Sequence, residues 1–275
     1  MVKKIKVVFL GSRPLGAYAL RLLLSMENIE VVACVVKKPG PTAWWDDDPF
    51  FIAKNPLDSH EKLCDIEFDL GVSINYWKIM PNELILPPRL GFINIHHAFN
   101  LSLRGRNMTT RAIIGARKTN RWFHGSCLHY TDDGLDTGPI IASSACDISE
   151  FDTGWSLFSK VEKLGELLIS EWFPRLTIAK IPTAFPGNDQ PLEINSKGRY
   201  DKRFIKNIKN NPLMSYDIIR AYDFNGFFEQ AYTFEGGEKI YLTINKEGGS
   251  NVLLKIDSDR KIYQFCSNVK WVNEK

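Results

Sequence analysis

The sequence predicts an α/β protein: a mainly parallel sheet with helices on both faces, followed by a small C-terminal α+β module rich in antiparallel strands. Three observations carry this. Short β-branched runs alternate with helical stripes along the first part of the chain, the pattern of βαβ units. From about residue 185 the texture becomes turn-rich and polar. The end of the chain then holds short alternating runs split by Gly-Gly and Asp-Ser-Asp, the mark of antiparallel hairpins. At 275 residues the chain can form one large domain or two unequal ones.

Ile5–Leu10 is a compact apolar run bounded by Gly11 and reads as a buried strand. The helix that follows runs from Leu15 through Leu24, with Pro14 suited to its first turn. Ile29–Val36, Phe68–Ile74 and Phe92–His96 are the next strands. Between Lys37 and Pro56 lie Pro39, Pro41 and Pro49, the pair Trp44-Trp45 and three consecutive aspartates, Asp46–Asp48. Two readings of this loop stay open: a structured binding loop, or a surface loop whose tryptophans cover the core edge. Gly125–Tyr130 and Pro139–Ala145 are strand-like runs on either side of Thr131–Gly138. Phe158, Val161, Leu164, Leu168 and Trp172 recur at helical spacing after Trp155, a core-facing stripe ending near Pro174. The domain boundary is expected near residue 190, separating 1–190 from 191–275. Beyond it come a helix around Ser215–Tyr222 and the β runs Lys239–Asn245, Asn251–Asp257 and Lys261–Val269.

Composition excludes several classes. With 44% hydrophobic and 24% charged residues the chain is neither disordered nor fibrous. A net charge of +3 gives no obligate nucleic-acid surface. The five cysteines are odd in number and never spaced C-x-x-C, so they form neither a disulfide framework nor a zinc site. No apolar run is long enough to span a membrane, and the N-terminal one is too short for a signal-peptide core. A soluble cytoplasmic protein is expected.

The chemistry is expected at Asn94-Ile-His96, at the carboxyl end of a parallel strand, where open α/β sheets bind ligands. Strand alternation puts Asn94 and His96 on one face. A carboxamide N–H can hold a developing oxyanion while an imidazole exchanges a proton near neutral pH. Asp136 can orient that histidine, and a satisfied structural pair is the competing reading. His60, His97, His124 and His129 read as structural. His96 and His97 lie on opposite strand faces and cannot easily share a metal ion, so no metal is expected. Gly11–Gly16 fits neither dinucleotide nor P-loop fingerprints. The helix start there can still meet an anion, with Ser12 and Arg13 assisting, or be a plain turn.

Asn94-Ile-His96, Leu103-Arg-Gly-Arg106 and Asp133-Gly-Leu-Asp136-Thr-Gly-Pro-Ile-Ile141 together resemble the signature of the folate-dependent formyltransferases. The resemblance covers about residues 3–180 and implies a Rossmann-like formyltransferase fold, with Asn94, His96 and Asp136 catalytic and N10-formyltetrahydrofolate as co-substrate. Asn75–Pro81 is similar to the family stretch lining the folate pocket. On that basis Tyr76, Trp77, Lys78, Ile79 and Phe92 meet the folate, with Asp132 and Asp133 in the loop closing over it. Ser12, Arg13, Lys78, Arg104 and Asn107 are the expected acceptor-binding residues. The chain departs from the family pattern at His97, where proline is usual, and at Ser102-Leu103, where Leu-Pro is usual.

Ile218–Tyr232 and Lys239–Leu242 are similar to the segment that follows the core in nucleotide-sugar N-formyltransferases. That resemblance implies a dTDP-linked 3- or 4-amino-dideoxyglucose as acceptor, made for lipopolysaccharide or another surface polysaccharide. It also implies a homodimer, for which the apolar segment Phe224–Phe234 could supply a patch. A methionyl-tRNA formyltransferase is the alternative. From residue 191 onward 14 basic residues face 11 acidic ones, a dilute surplus for binding tRNA, although Lys202, Arg203, Lys206 and Lys209 form a basic run. The alternative from another class is a non-catalytic folate or nucleotide-sugar binder.

Overall fold

The computed structural model describes residues 4–40, 43, 45–187, 191–195, 201–208, 210–245, 251–257, 262–266 and 271–273. Pro41 and Trp44 of the long loop, Lys209 of the basic run, and residues 261 and 267–269 of the last β run lie outside them.

In chain order the elements are β1 (Ile5–Gly11), α1 (Arg13–Ser25), β2 (Ile29–Val36), β3 (Leu70–Ile74), α2 (Asn82–Ile85), β4 (Phe92–His96), β5 (Leu103–Gly105) and α3 (Met108–Thr119). They continue with β6 (Phe123–Tyr130), β7 (Ile140–Asp147), α4 (Gly154–Trp172), β8 (Glu193–Asn195), α5 (Pro212–Ala221), β9 (Ala231–Glu235), β10 (Glu238–Asn245), β11 (Asn251–Asp257), β12 (Ile262–Cys266) and β13 (Trp271–Asn273). Two compact units emerge. One gathers residues 1–105, 124–146 and 160–196, and the other 106–123, 147–159 and 197–275. Each unit is discontinuous in sequence, the second drawing in the internal segments 106–123 and 147–159.

The first unit is built on a six-stranded sheet of order β2-β1-β3-β4-β6-β7. Strands β1 to β4 pair in parallel, and β6 runs antiparallel to β4. Both faces are covered, as near-continuous apolar strands require. On one face Val7, Phe9, Val72, Ile93, Ile95 and Leu128 pack with Leu15, Leu20 and Leu23 of α1, with Leu168 and Ile169 near the end of α4 and with Phe173 just beyond it. On the other, Val8, Leu10, Val35 and Phe92 pack with Leu84 and Ile85 of α2. Each such side chain contributes about 1.5–3 kcal/mol by leaving water. Gly71 makes room on this second face, since a Cβ there would meet the Phe92 ring at 2.1 Å.

The strand order reverses at β1, whose neighbours β2 and β3 lie on opposite sides. The crevice beyond the carboxyl ends of β1 and β3 is therefore the topological switch point, where ligands gather in open sheets. The loop after β2 is anchored there. Buried Asp48 accepts from the backbone N–H of Arg13, from Trp45 Nε1 and from the N–H of Phe50 at 2.9–3.1 Å. Trp45 lies 5.5 Å under the Arg13 guanidinium.

The second unit contains α3, α5 and a five-stranded antiparallel sheet of order β13-β12-β11-β10-β9. Its helical part is organised by a buried ion cluster. Arg220, fully buried, pairs with Asp217 and donates to the carbonyls of Ser149 and Asp152, while Arg117 reaches the same Asp217. Two cations sharing one buried carboxylate are tolerated because the backbone carbonyls supply the remaining negative ends.

Candidate functional site

Strand β4 carries Phe92, Asn94 and His96 on one face, and burial changes along it. Phe92 is fully buried and packs edge-to-face with Phe68 at 6.4 Å, so its ring is part of the core wall at this end of the strand. Asn94 is half-buried at the edge of that core, and His96 is buried at the strand end.

Both nitrogens of His96 face acceptors. Nε2 lies 2.7 Å from the Leu103 carbonyl, and Nδ1 lies 3.5 Å from Asp136 Oδ1. The first contact requires the Nε2–H tautomer, an assignment made from the hydrogen-bond network. Asp136 itself sits in left-handed backbone, φ 50°, at the end of the loop between β6 and β7. Its Oδ2 accepts the backbone N–H of Gly105 at 2.8 Å, which leaves Oδ1 toward the imidazole. Two glycines permit this closure. A Cβ on Gly105 would stand 2.0 Å from the Asn195 carbonyl, and one on Gly138 would stand 1.8 Å from the Tyr130 carbonyl. Asp132 accepts from the Gly134 N–H and the Thr137 hydroxyl, so its carboxylate staples the same loop, and Asp133 is exposed.

Strand β6 adds His129, which reads as structural in the sequence. The antiparallel register sets His129 directly opposite Asn94. His129 Nδ1–H donates to the Tyr130 carbonyl at 2.8 Å, and its Nε2 accepts from Asn94 Nδ2 at 3.1 Å. Burial drives the His129 imidazole down from its ordinary 6.5 to about 4, against the opposing pull of the Asp136 and Asp132 carboxylates. The only local signal was its place seven residues before Asp136. Cys127, two residues along the same face, is held protonated, its thiol pushed up to about 12 by burial.

Between pH 6.5 and about 4 the unfolded chain protonates His129 while the folded one does not, so stability falls as pH drops through that window. At about 1.4 kcal/mol per pKa unit, the loss reaches about 3 kcal/mol. Urea unfolding of wild type and His129→Gln across this range should show that extra loss in the wild type alone. Parallel curves would contradict it.

The Tyr76 hydroxyl hydrogen-bonds His60 Nδ1 at 2.8 Å, and its ring lies 4.5 Å from Trp77. Burial pushes the Tyr76 hydroxyl up to about 12. Lys78 is exposed, and Ile79 is 81% exposed. The Ser12 hydroxyl donates to the Asn75 carbonyl at 2.7 Å and caps no helix N–H. Arg13 has left-handed backbone, φ 67°, with Glu162 and Asp48 as its charged neighbours. Such backbone in a non-glycine residue concentrates at functional sites. Arg104 is buried on β5, which pairs with β8. Asn107 precedes α3 and belongs to the second unit. His97 points to the other sheet face, between the Ser126 hydroxyl at 2.9 Å and Glu162 Oε1 at 2.8 Å, and Asn75 Nδ2 reaches the same Oε1.

A cavity of about 470 Å³ is lined by Ile85, Leu86, Tyr130, Thr131, Pro139 and Lys180 among others; of these only Thr131 belongs to the loop expected to close over the folate. Its size suits a small ligand. Thr131 Oγ1 is buried without a hydrogen-bond partner. Among the described residues no group of three His, Cys, Asp or Glu could hold a metal ion, and no helix is long and apolar enough to cross a membrane.

The fold and this Asn–His–Asp grouping point to the class of one-carbon group transferases. Residues 7–172 match the formyl transferase family, and the chain belongs to that family. It is 31% identical over 284 residues to methionyl-tRNA formyltransferase of Bacillus cereus strain B4264, covering 92% of this chain and 85% of that one. Its fold is similar to an N-formyltransferase of Helicobacter canadensis solved with folinic acid and dTDP-3-aminofucose, with a TM-score of 0.71, 20% identity and 94% coverage of both chains. A 4-N formyltransferase of Francisella tularensis has a TM-score of 0.70 at 20% identity, over 89% of this chain and 98% of that one.

Proposed function

We propose that the chain moves a formyl group from N10-formyltetrahydrofolate to the amine of a nucleotide-linked amino-deoxy sugar, a dTDP-3- or dTDP-4-amino-dideoxyglucose. The observation that carries the acceptor class is end-to-end likeness: the H. canadensis enzyme, solved with a dTDP amino sugar, is covered over 94% of its length by 94% of this chain. The cofactor fits as well. The cavity of about 470 Å³ beside Thr131, lined largely by apolar atoms, leaves room for a flat heterocycle. N10-formyltetrahydrofolate supplies the formyl carbon that the amine attacks.

The protein's part follows from the hydrogen bonds. Asn94 spends one N–H on His129, leaving the other for the formyl oxygen as negative charge develops there. The hydrogen bond from Nε2 to the Leu103 carbonyl fixes the His96 ring, and Asp136 faces its other nitrogen. Asp136 orients that ring and takes the amine proton through a water. Ser12 and Arg13 at the switch point, with exposed Lys78, are the candidates for the pyrophosphate.

A second reading is favoured by the 31% identity to a methionyl-tRNA formyltransferase. The test is formylation by the purified chain with N10-formyltetrahydrofolate and a panel of amines: dTDP-3-amino- and dTDP-4-amino-dideoxyglucose, UDP- and GDP-amino sugars, and charged initiator methionyl-tRNA. Turnover on a dTDP sugar is expected. Transfer to the tRNA alone would replace the sugar reading by the second, and transfer to no amine would point to a binding protein.

A further inference from the structure

Asn94 can serve as an oxyanion donor only if its carboxamide presents nitrogen, not oxygen, to the reacting carbonyl. The two ends of a carboxamide have nearly the same shape, and packing alone discriminates poorly between them. Something must break that symmetry. The residue placed to do so is its cross-strand neighbour His129.

We propose that His129 is a positioning residue that fixes the orientation of the Asn94 carboxamide, and with it the donor aimed at the formyl oxygen. The proposal rests on the reading of Asn94 as oxyanion donor. The Tyr130 carbonyl, 2.8 Å from Nδ1, can only accept, so Nδ1 carries the proton. Nε2 of a neutral ring is then a lone pair, and at 3.1 Å from Asn94 it can only accept. That lone pair selects the NH₂ end of Asn94; a flipped carboxamide would bring oxygen against nitrogen, two acceptors facing one another in a buried setting. Three linked hydrogen-bonding groups thus pass one polarity from the backbone of β6 to the carboxamide on β4. The arrangement also needs His129 to stay neutral, and its burial, with only 1% of the residue exposed, favours that. His96, 6.4 Å away by ring centroid and edge-to-face, adds a further penalty on a second positive charge.

The antiparallel direction of β6 is what makes this possible. Direct opposition in an antiparallel pair brings side chains within about 5.5 Å at Cβ, close enough for one hydrogen bond without a bridging water.

A double-mutant cycle tests it, using the acceptor that gives turnover in the panel above. His129→Leu keeps an apolar body and removes the acceptor. It should lower kcat by about 10- to 100-fold, the scale of a misplaced catalytic group, with KM for folate and acceptor little changed. His129→Gln, whose side-chain carbonyl can still accept from Asn94, should recover most of that loss. In an Asn94→Ala background His129→Leu should change kcat by less than about 2-fold, because no carboxamide is left to orient. Equal losses in both backgrounds, or full activity in His129→Leu, would overturn the proposal. Near-normal turnover of Asn94→Ala would instead overturn the oxyanion reading beneath it, so the two failures are distinct. Should His129→Leu not fold, ring ¹⁵N spectra of the wild type and Asn94→Ala decide. The Nδ1–H tautomer is expected in both, with the Nε2 resonance displaced when Asn94 is lost, and an unmoved Nε2 resonance overturns the hydrogen bond.

Discussion

Asn94→Ala should reduce kcat by about 10²–10³-fold, the cost of removing one oxyanion donor from a preorganised site. The substitution is a fair probe because Asn94 is half-buried at the edge of the core, and the group it releases, His129 Nε2, is a neutral acceptor. The folded state should therefore survive with a modest loss of stability. A donor used mainly as charge develops lowers kcat and kcat/KM together when it is removed, with KM for folate near normal. Steady-state kinetics on the best acceptor checks this, and a variant turning over at close to the wild-type rate would refute the role given to Asn94.

Asp136→Asn should cost about 10²–10⁴-fold in kcat, the range for a displaced acid–base group, while leaving the fold nearly intact. The Gly105 N–H needs an acceptor, and in the variant only the amide oxygen can be one. That choice turns the new NH₂ group toward His96 Nδ1, where the wild type has a carboxylate oxygen at 3.5 Å. His96 must then accept at Nδ1 while still donating from Nε2 to Leu103. The carboxylate that takes the amine proton is gone. Asp136→Ala should add a drop in thermal stability, because it also strips the Gly105 N–H of its partner. Equal melting temperatures for the two variants, or normal turnover in Asp136→Asn, would show that the carboxylate does something else.

The elements differ in how plainly the chain announced them. Pro14 marked the first turn of α1, and the apolar runs at Ile5, Ile29 and Phe92 became β1, β2 and β4, because each signal lies within a few neighbours. The alternation Phe92, Asn94, His96 put three side chains on one face, as a period of two demands. Their separate fates were not legible. Phe92 is core because Gly71 of the adjacent strand leaves space for its ring, a contact made across β3 and β4. Ile79, in a stretch resembling a folate-lining segment, stands in solvent. Lys180 and Ile85 meet in one cavity although 95 positions part them in sequence.

What the sequence determined by itself was the alternation of strands and helices, the strand end that carries Asn94 and His96, and the glycine-rich loop that carries Asp136. These follow from local spacing and turn chemistry, which act between near neighbours along the chain. The tertiary structure alone decided that β6 lies antiparallel beside β4, so that His129 faces Asn94, and that both nitrogens of His96 end on acceptors. Register between distant strands is set by which faces the whole core can bury together, and a shift of one residue would have turned His129 away from Asn94.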